Sequence, residues 1–164
     1  TSHDTSDPDA TYETVWIGAT RALCRLVTEL PEIRNSIVLE IGCGQGLAGL
    51  FCAKQAGAKR VVLTDVSESA LAMVQENAKL NGVADRVATA VLDVSKIVNF
   101  GERFEYVIAS DMLFSTKLAK DVFVACRTFV KPGGTILLGH EKRYSVYRDR
   151  ATCEIKQDAN DEPL

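Results

Sequence analysis

Four acidic residues and one glycine loop carry the chemistry this sequence suggests. The run Glu40-Ile41-Gly42-Cys43-Gly44-Gln45-Gly46 ends the short apolar stretch Ser36–Ile41. Glycines at such a place let the backbone turn sharply and approach a ligand with no Cβ in the way. A helix starting behind them adds unpaired N–H groups and a positive dipole end, which suits a carboxylate or a phosphate. Gly44-Gln45-Gly46-Leu47-Ala48-Gly49 formally matches the dinucleotide pattern G-x-G-x-x-G, a weak signal by itself. Its register is off, because Gly42 holds the position directly after the strand. Glu40 beside the loop would repel a pyrophosphate and would suit a cationic amino group.

The acids gain meaning from the elements that must position them. Val15, Ile17, Ala22, Leu23, Leu26, Val27 and Leu30 recur at helical spacing, and Pro31 closes that helix. Ser36–Ile41 reads as a buried parallel strand, and Gly46–Ala56 as a helix ended by Gly57. Arg60–Val66 is a second strand. Ser67 caps a helix over Glu68–Leu80 that stops at Asn81-Gly82. Arg86–Val94 and Phe104–Ala109 are the third and fourth strands. A helix over Lys117–Val130, a tight Lys131-Pro132-Gly133-Gly134 turn and a fifth strand over Thr135–Gly139 follow. Strands alternating with helices of this length require right-handed crossovers. The predicted fold class is therefore α/β: a Rossmann-like, doubly wound, mostly parallel sheet. Residues 1–10 read as a flexible tail, 11–145 as the domain and 146–164 as a partly disordered C-terminal segment. Within the last part, Tyr144–Leu164 is read as a short helix and a disordered tail.

Bulk properties narrow the classes further. The chain has 164 residues, 46% hydrophobic and 25% charged, with a formal net charge of −3. These values fit one globular domain. They give no broad basic footprint, so no nucleic acid is expected. The basic residues Lys142, Arg143, Arg148 and Arg150 read as a solvated face. No apolar run reaches membrane-spanning length. No secretory signal is visible, but a sequence opening on Thr1 says little about targeting. Five dispersed cysteines and two distant histidines point to free thiols in a reducing compartment and to no metal site.

In an open α/β sheet the ligand sits at the carboxyl ends of the strands. Asp65 ends the second strand, where a carboxylate can accept hydrogen bonds from ribose hydroxyls. Asp93 lies near the end of the third, placed to accept an adenine amino proton. Asp111 ends the fourth, beside the reacting centre. A ribose fits NAD as well as S-adenosylmethionine, but Glu40 and Asp93 favour S-adenosylmethionine, with S-adenosylhomocysteine as product.

Val38 to Gly46 resembles motif I of the class I, seven-strand methyltransferases. Leu63-Thr64-Asp65, Glu76–Gly82 and Lys131–Gly134 fit the same superfamily. More narrowly, the chain resembles the methyltransferase-like protein lysine methyltransferases (methyltransferase family 16) over about residues 14–145. Val15-Trp16, Ala109-Ser110-Asp111-Met112-Leu113-Phe114 and His140-Glu141-Lys142-Arg143 carry that resemblance. It implies a protein substrate with a lysine acceptor. It implies Asp111 and Phe114 as catalytic residues, Phe114 as an aromatic wall for an ammonium. It implies Trp16, Glu40, Gly42, Gly44, Gly46, Asp65, Asp93 and Ser110 as donor-binding residues. Val94 stands where the family often has Trp, so adenine stacking would come from elsewhere. That family's fold ends in a further helix and two strands. Nothing after Arg150 reads as a strand, so these are expected to be lacking. The expected compartment is the cytoplasm, with the nucleus second. Two other readings stay open: a small-molecule N- or O-methyltransferase, and a non-catalytic S-adenosylmethionine-binding module.

Overall fold

Side chains alternate across the central strand, and that alternation builds a core on both faces of the sheet. The computed structural model describes residues 17–97, 101–113, 115–141, 146–148 and 155–157. In β1 (Ile37–Ile41), Val38 packs with one apolar cluster and Leu39 and Ile41 with the other. The strand is shut off from water on both sides, which explains its almost unbroken apolar run.

Four more strands join it: β2 (Arg60–Asp65), β3 (Val87–Val91), β4 (Phe104–Ser110) and β5 (Val130–Gly139). All pair in parallel, in the spatial order β3-β2-β1-β4-β5. Helix α1 (Ile17–Thr28) buries Ala19, Thr20, Leu23, Cys24 and Val27, one stripe at helical spacing. It shares its cluster with α2 (Leu47–Phe51) and α3 (Glu68–Leu80). Helix α4 (Thr116–Phe129) covers the opposite face with Val122, Ala125, Cys126 and Phe129. The doubly wound α/β expectation holds. Because β1 neighbours both β2 and β4, the chain reverses direction across the sheet at β1. The crevice between the β1 and β4 exits is the switch point where such sheets take ligands.

Local chemistry explains most boundaries. Ser67 Oγ accepts the Ala70 N–H at 3.2 Å, so the predicted cap starts α3 where expected. Helix α2 is shorter than predicted. It passes into a π-turn over Cys52–Ala56 and stops at Gly57 in the left-handed region. Strand β5 begins earlier than predicted, directly after α4. The Lys131–Gly134 turn is folded into it as a bulge opposite Glu105, held by a Lys131–Glu105 ion pair.

One expectation is corrected at the C-terminal end. Val146–Arg148 (β6) and Ile155–Gln157 (β7) are not helix and tail but an antiparallel strand pair, with Tyr147 opposite Lys156. Val146, Tyr147 and Ile155 are good strand formers, yet three-residue runs are too short to show a period. Residues 1–10 lie outside the described residues.

Phe129 is fully buried between α4 and the sheet. Phe129→Ala is expected to cost about 3–5 kcal/mol, read as a lower urea midpoint. A shift under about 1 kcal/mol would mean that this face does not hold the domain together.

Candidate active site at the switch point

The loop after β1 is built on three left-handed residues: Gly42 at φ +66°, Gly44 at +51° and Gly46 at +82°. Side chains rarely adopt that region. The loop is tied down on several sides. Cys43 N–H donates to the Thr64 carbonyl at 2.9 Å, and Asn77 Nδ2 donates to the Gln45 carbonyl at 3.1 Å. Gly44 N–H donates to Asp65 Oδ2 at 2.9 Å. The other oxygen of Asp65 accepts the Ser67 N–H at 3.1 Å. Asp65 is thus fixed at the end of β2, and each oxygen keeps a lone pair for a further donor.

Glu40 is placed differently from the sequence expectation. Its side chain follows Val38 onto the face of α1, α2 and α3. It is 2% exposed, and its Oε2 accepts the Gly49 N–H at 2.8 Å. Gly46 at the start of α2 offers no side-chain cap. Glu40 supplies one from the strand beneath, where the helix dipole favours it. The fit requires Gly49, since a Cβ there would lie 2.5 Å from Glu40 Oε2. Burial pushes the Glu40 carboxyl from 4.5 up to about 8; the Gly49 bond opposes that rise and Asp65 adds to it. The nearby thiols of Cys24, Cys43 and Cys52 are also pushed up by burial, Cys24 to about 11. Cys43 therefore sits in the loop as a small neutral side chain and not as a nucleophile.

Asp93 stands after β3, with its carboxylate drawn into its own turn. Oδ1 accepts the Ser95 N–H at 2.9 Å and the Ser95 hydroxyl at 2.6 Å. Those bonds hold its carboxyl below the ordinary value, and Lys96 lies 3.6 Å from Oδ2.

The ends of β4 and β5 meet under α1. Ser110 Oγ lies 2.7 Å from Thr20 Oγ1 of that helix. Asp111 takes a left-handed φ of +58° and donates its N–H to the Gly139 carbonyl at 2.7 Å. Aspartate tolerates this region better than most residues, and the bond to β5 holds it there. The structure adds His140, to which the sequence reading gave no role. Its Nδ1 lies 3.7 Å from Asp111 Oδ1, and neither buried ring nitrogen has a hydrogen-bond partner among the described residues. The usable signal was position, because His140 follows the fifth strand as Asp111 follows the fourth. The Glu141 carboxylate packs against Gly18, where a Cβ would lie 2.9 Å from its nearest oxygen. The structure therefore brings together Gly42, Gly44, Gly46 and Asp65 on one side, and Ser110, Asp111 and His140 on the other. Trp16 and Phe114 lie outside the described residues.

The topology places those two groups of residues where open α/β sheets take ligands, and comparison with known proteins gives the class of the domain. A family model described as methyltransferase domain matches residues 38–134, and the chain belongs to that family. It carries a class I S-adenosylmethionine-dependent methyltransferase domain. A probable protein arginine N-methyltransferase 6 of Arabidopsis thaliana is 36% identical over 115 residues, covering 68% of this chain and 26% of that protein. A ribosomal protein L11 methyltransferase of Methylococcus capsulatus is 33% identical over 122 residues, covering 73% of this chain and 38% of its own length. The chain thus spans well under half of these two relatives. Among solved structures, the glycopeptide N-methyltransferase MtfA complexed with sinefungin superposes with a TM-score of 0.61 at 18% identity, covering 86% of this chain and 65% of that one. That likeness is one of fold.

The Glu40 shift sets a test of the free protein. Unfolded chains release this proton near pH 4.5, while the folded chain keeps it to about pH 8. Stability from this group is full below the lower value and is lost as pH rises to the upper one. The slope is about 1.4 kcal/mol per pH unit. Glu40→Gln keeps an acceptor for Gly49 and removes the titration. Its urea midpoint should fall less than wild type between those limits; parallel pH curves would refute the assignment.

Proposed function

We propose that this chain binds S-adenosylmethionine in the switch-point crevice and transfers its methyl group to a protein side-chain nitrogen, a lysine amine. The observation that carries the reading is the glycine loop clamped to Asp65 by the Gly44 N–H, one strand away from Asp111. The fit is chemical as well as spatial. Asp65 offers acceptors to ribose hydroxyls, and Asp65, Asp93 and Asp111 make the strand ends acidic, as suits a cationic donor. The donor, when bound, supplies a methyl carbon activated by its sulfonium.

The protein's share is placement and proton handling. A lysine ammonium must lose a proton, from a reference value of about 10.4, before its lone pair can attack. Asp111 orients the incoming nitrogen by a charge-assisted hydrogen bond. His140 beside it offers ring nitrogens to receive or relay the proton. Glu40 acts from beneath by fixing the loop and α2. Good alignment of the reacting atoms contributes several kcal/mol.

A protein acceptor is supported by the relatives named for protein arginine and ribosomal protein L11 methylation. The lysine assignment rests on the resemblance of Ala109–Phe114 and His140–Arg143 and on the acidic acceptor side. Radiolabelled methyl transfer into a cell lysate, followed by hydrolysis to amino acids, tests it. Label should appear as methyllysine. Label in methylarginine, in methylglutamine or in small molecules overturns the lysine assignment, and no label anywhere overturns methyl transfer by this chain.

Two variants divide the site. Asp111→Asn should lower transfer by about 100-fold or more while binding S-adenosylhomocysteine within about twofold of wild type, by calorimetry. Normal methylation by that variant removes Asp111 from the chemistry. Asp65→Ala should weaken S-adenosylhomocysteine by about tenfold or more. Unchanged affinity would refute the donor site.

A further inference from the structure

The space above Gly42 is already filled. A Cβ on Gly42 would fall directly onto the Met112 sulfur, with Met112 Cε 2.6 Å and Cγ 2.9 Å away. Met112 therefore lies across the glycine that opens the loop, bridging the exits of β1 and β4. Its placement follows from the backbone. Asp111 is held in the left-handed region by its bond to Gly139. That turn carries the chain back over the sheet end and sets Met112 toward β1. Met112 is half-buried and packs, with Leu113, against the apolar cluster shared with α4.

The side chain suits a part that moves. Methionine is unbranched, has three rotatable bonds and repacks at little cost. A ligand approaching the Gly42 backbone must contend with the thioether first.

We propose that Met112 is a displaceable plug in the methyl-donor crevice: its side chain lies over Gly42 and swings aside when the donor enters. The inference rests on the donor reading above and adds a residue that sets the affinity of the site. Donor binding carries the cost of turning Met112 out of its place. Removing the side chain removes that cost and tightens binding. A rotamer displacement of this kind corresponds to roughly a two- to tenfold change in affinity.

The chain contains two methionines, Met73 and Met112, which makes the test direct. Met73 lies within α3 and serves as the internal reference. In protein labelled with carbon-13 at the methionine methyls, NMR shows one signal for each, assigned with Met112→Ala. Titration with S-adenosylhomocysteine should move the Met112 signal well beyond any change at Met73. Calorimetry should show Met112→Ala binding S-adenosylhomocysteine about two- to tenfold more tightly than wild type. Saturable binding with a stationary Met112 signal means a fixed wall and overturns the plug while leaving the donor reading intact. Equal or weaker affinity in Met112→Ala also overturns it. Binding by neither protein overturns the donor reading and the plug together.

Discussion

The hydrogen bond from the Gly49 N–H to Glu40 joins the three parts that make the site. Glu40 belongs to the central strand, Gly49 to the helix, and the glycine loop is the short span between them. With both ends pinned from below, the loop holds three left-handed glycines in five residues. The same bond gives a helix with no side-chain cap of its own an acceptor for an otherwise unpaired N–H. Burying the carboxyl favours its neutral form, which can still accept that bond. Glu40 thus holds the loop and the helix together, while Asp65, Asp93 and Asp111 stand at or just after the ends of β2, β3 and β4.

The order β3-β2-β1-β4-β5 does the rest of the positioning. It sets residues distant in sequence side by side: Ile41 opposite Ala109, and Ser110 opposite Gly139. Helix α1 then roofs the β4 and β5 exits, through Thr20 to Ser110 and through the close approach of Ala19 to Gly139. The glycine-loop side, on β1 and β2, and the Ser110–Asp111–His140 side, on β4 and β5, are built from different crossover units. They meet only at the switch point.

Most of the fold was legible because its signals are local. Ser67, Gly57 and Asn81-Gly82 mark helix ends through backbone chemistry that needs no tertiary context, and the apolar runs of β1, β2 and β4 mark buried strands. The strand pair at 146–148 and 155–157 was not legible, since three residues carry no period. Asp65 and Asp111 were placed correctly at strand ends because strand ends are readable from the same runs. The orientation of Glu40 was not, because a residue two places before the loop can point to either face of the sheet. The alternation from Val38 decides it, and knowing what that face packs against requires the folded molecule. His140 escaped for a similar reason. It lies 29 residues from Asp111 in sequence, and only the β4–β5 pairing makes them neighbours.

The left-handed turn at Asp111 has a consequence for how the molecule is assembled. The bond that holds it in place comes from Gly139, on the last strand of the main sheet to leave the ribosome. The Asp111 turn and the placement of Met112 beside it therefore depend on the β4–β5 pairing as well as on β4 itself. The Asp111 end of the crevice is the product of a non-local pairing, the class of contact that chain topology makes slow to form. The Gly44–Asp65 bond spans 21 residues and the Asp111–Gly139 bond 28, so each half of the candidate site is completed only when a second strand docks.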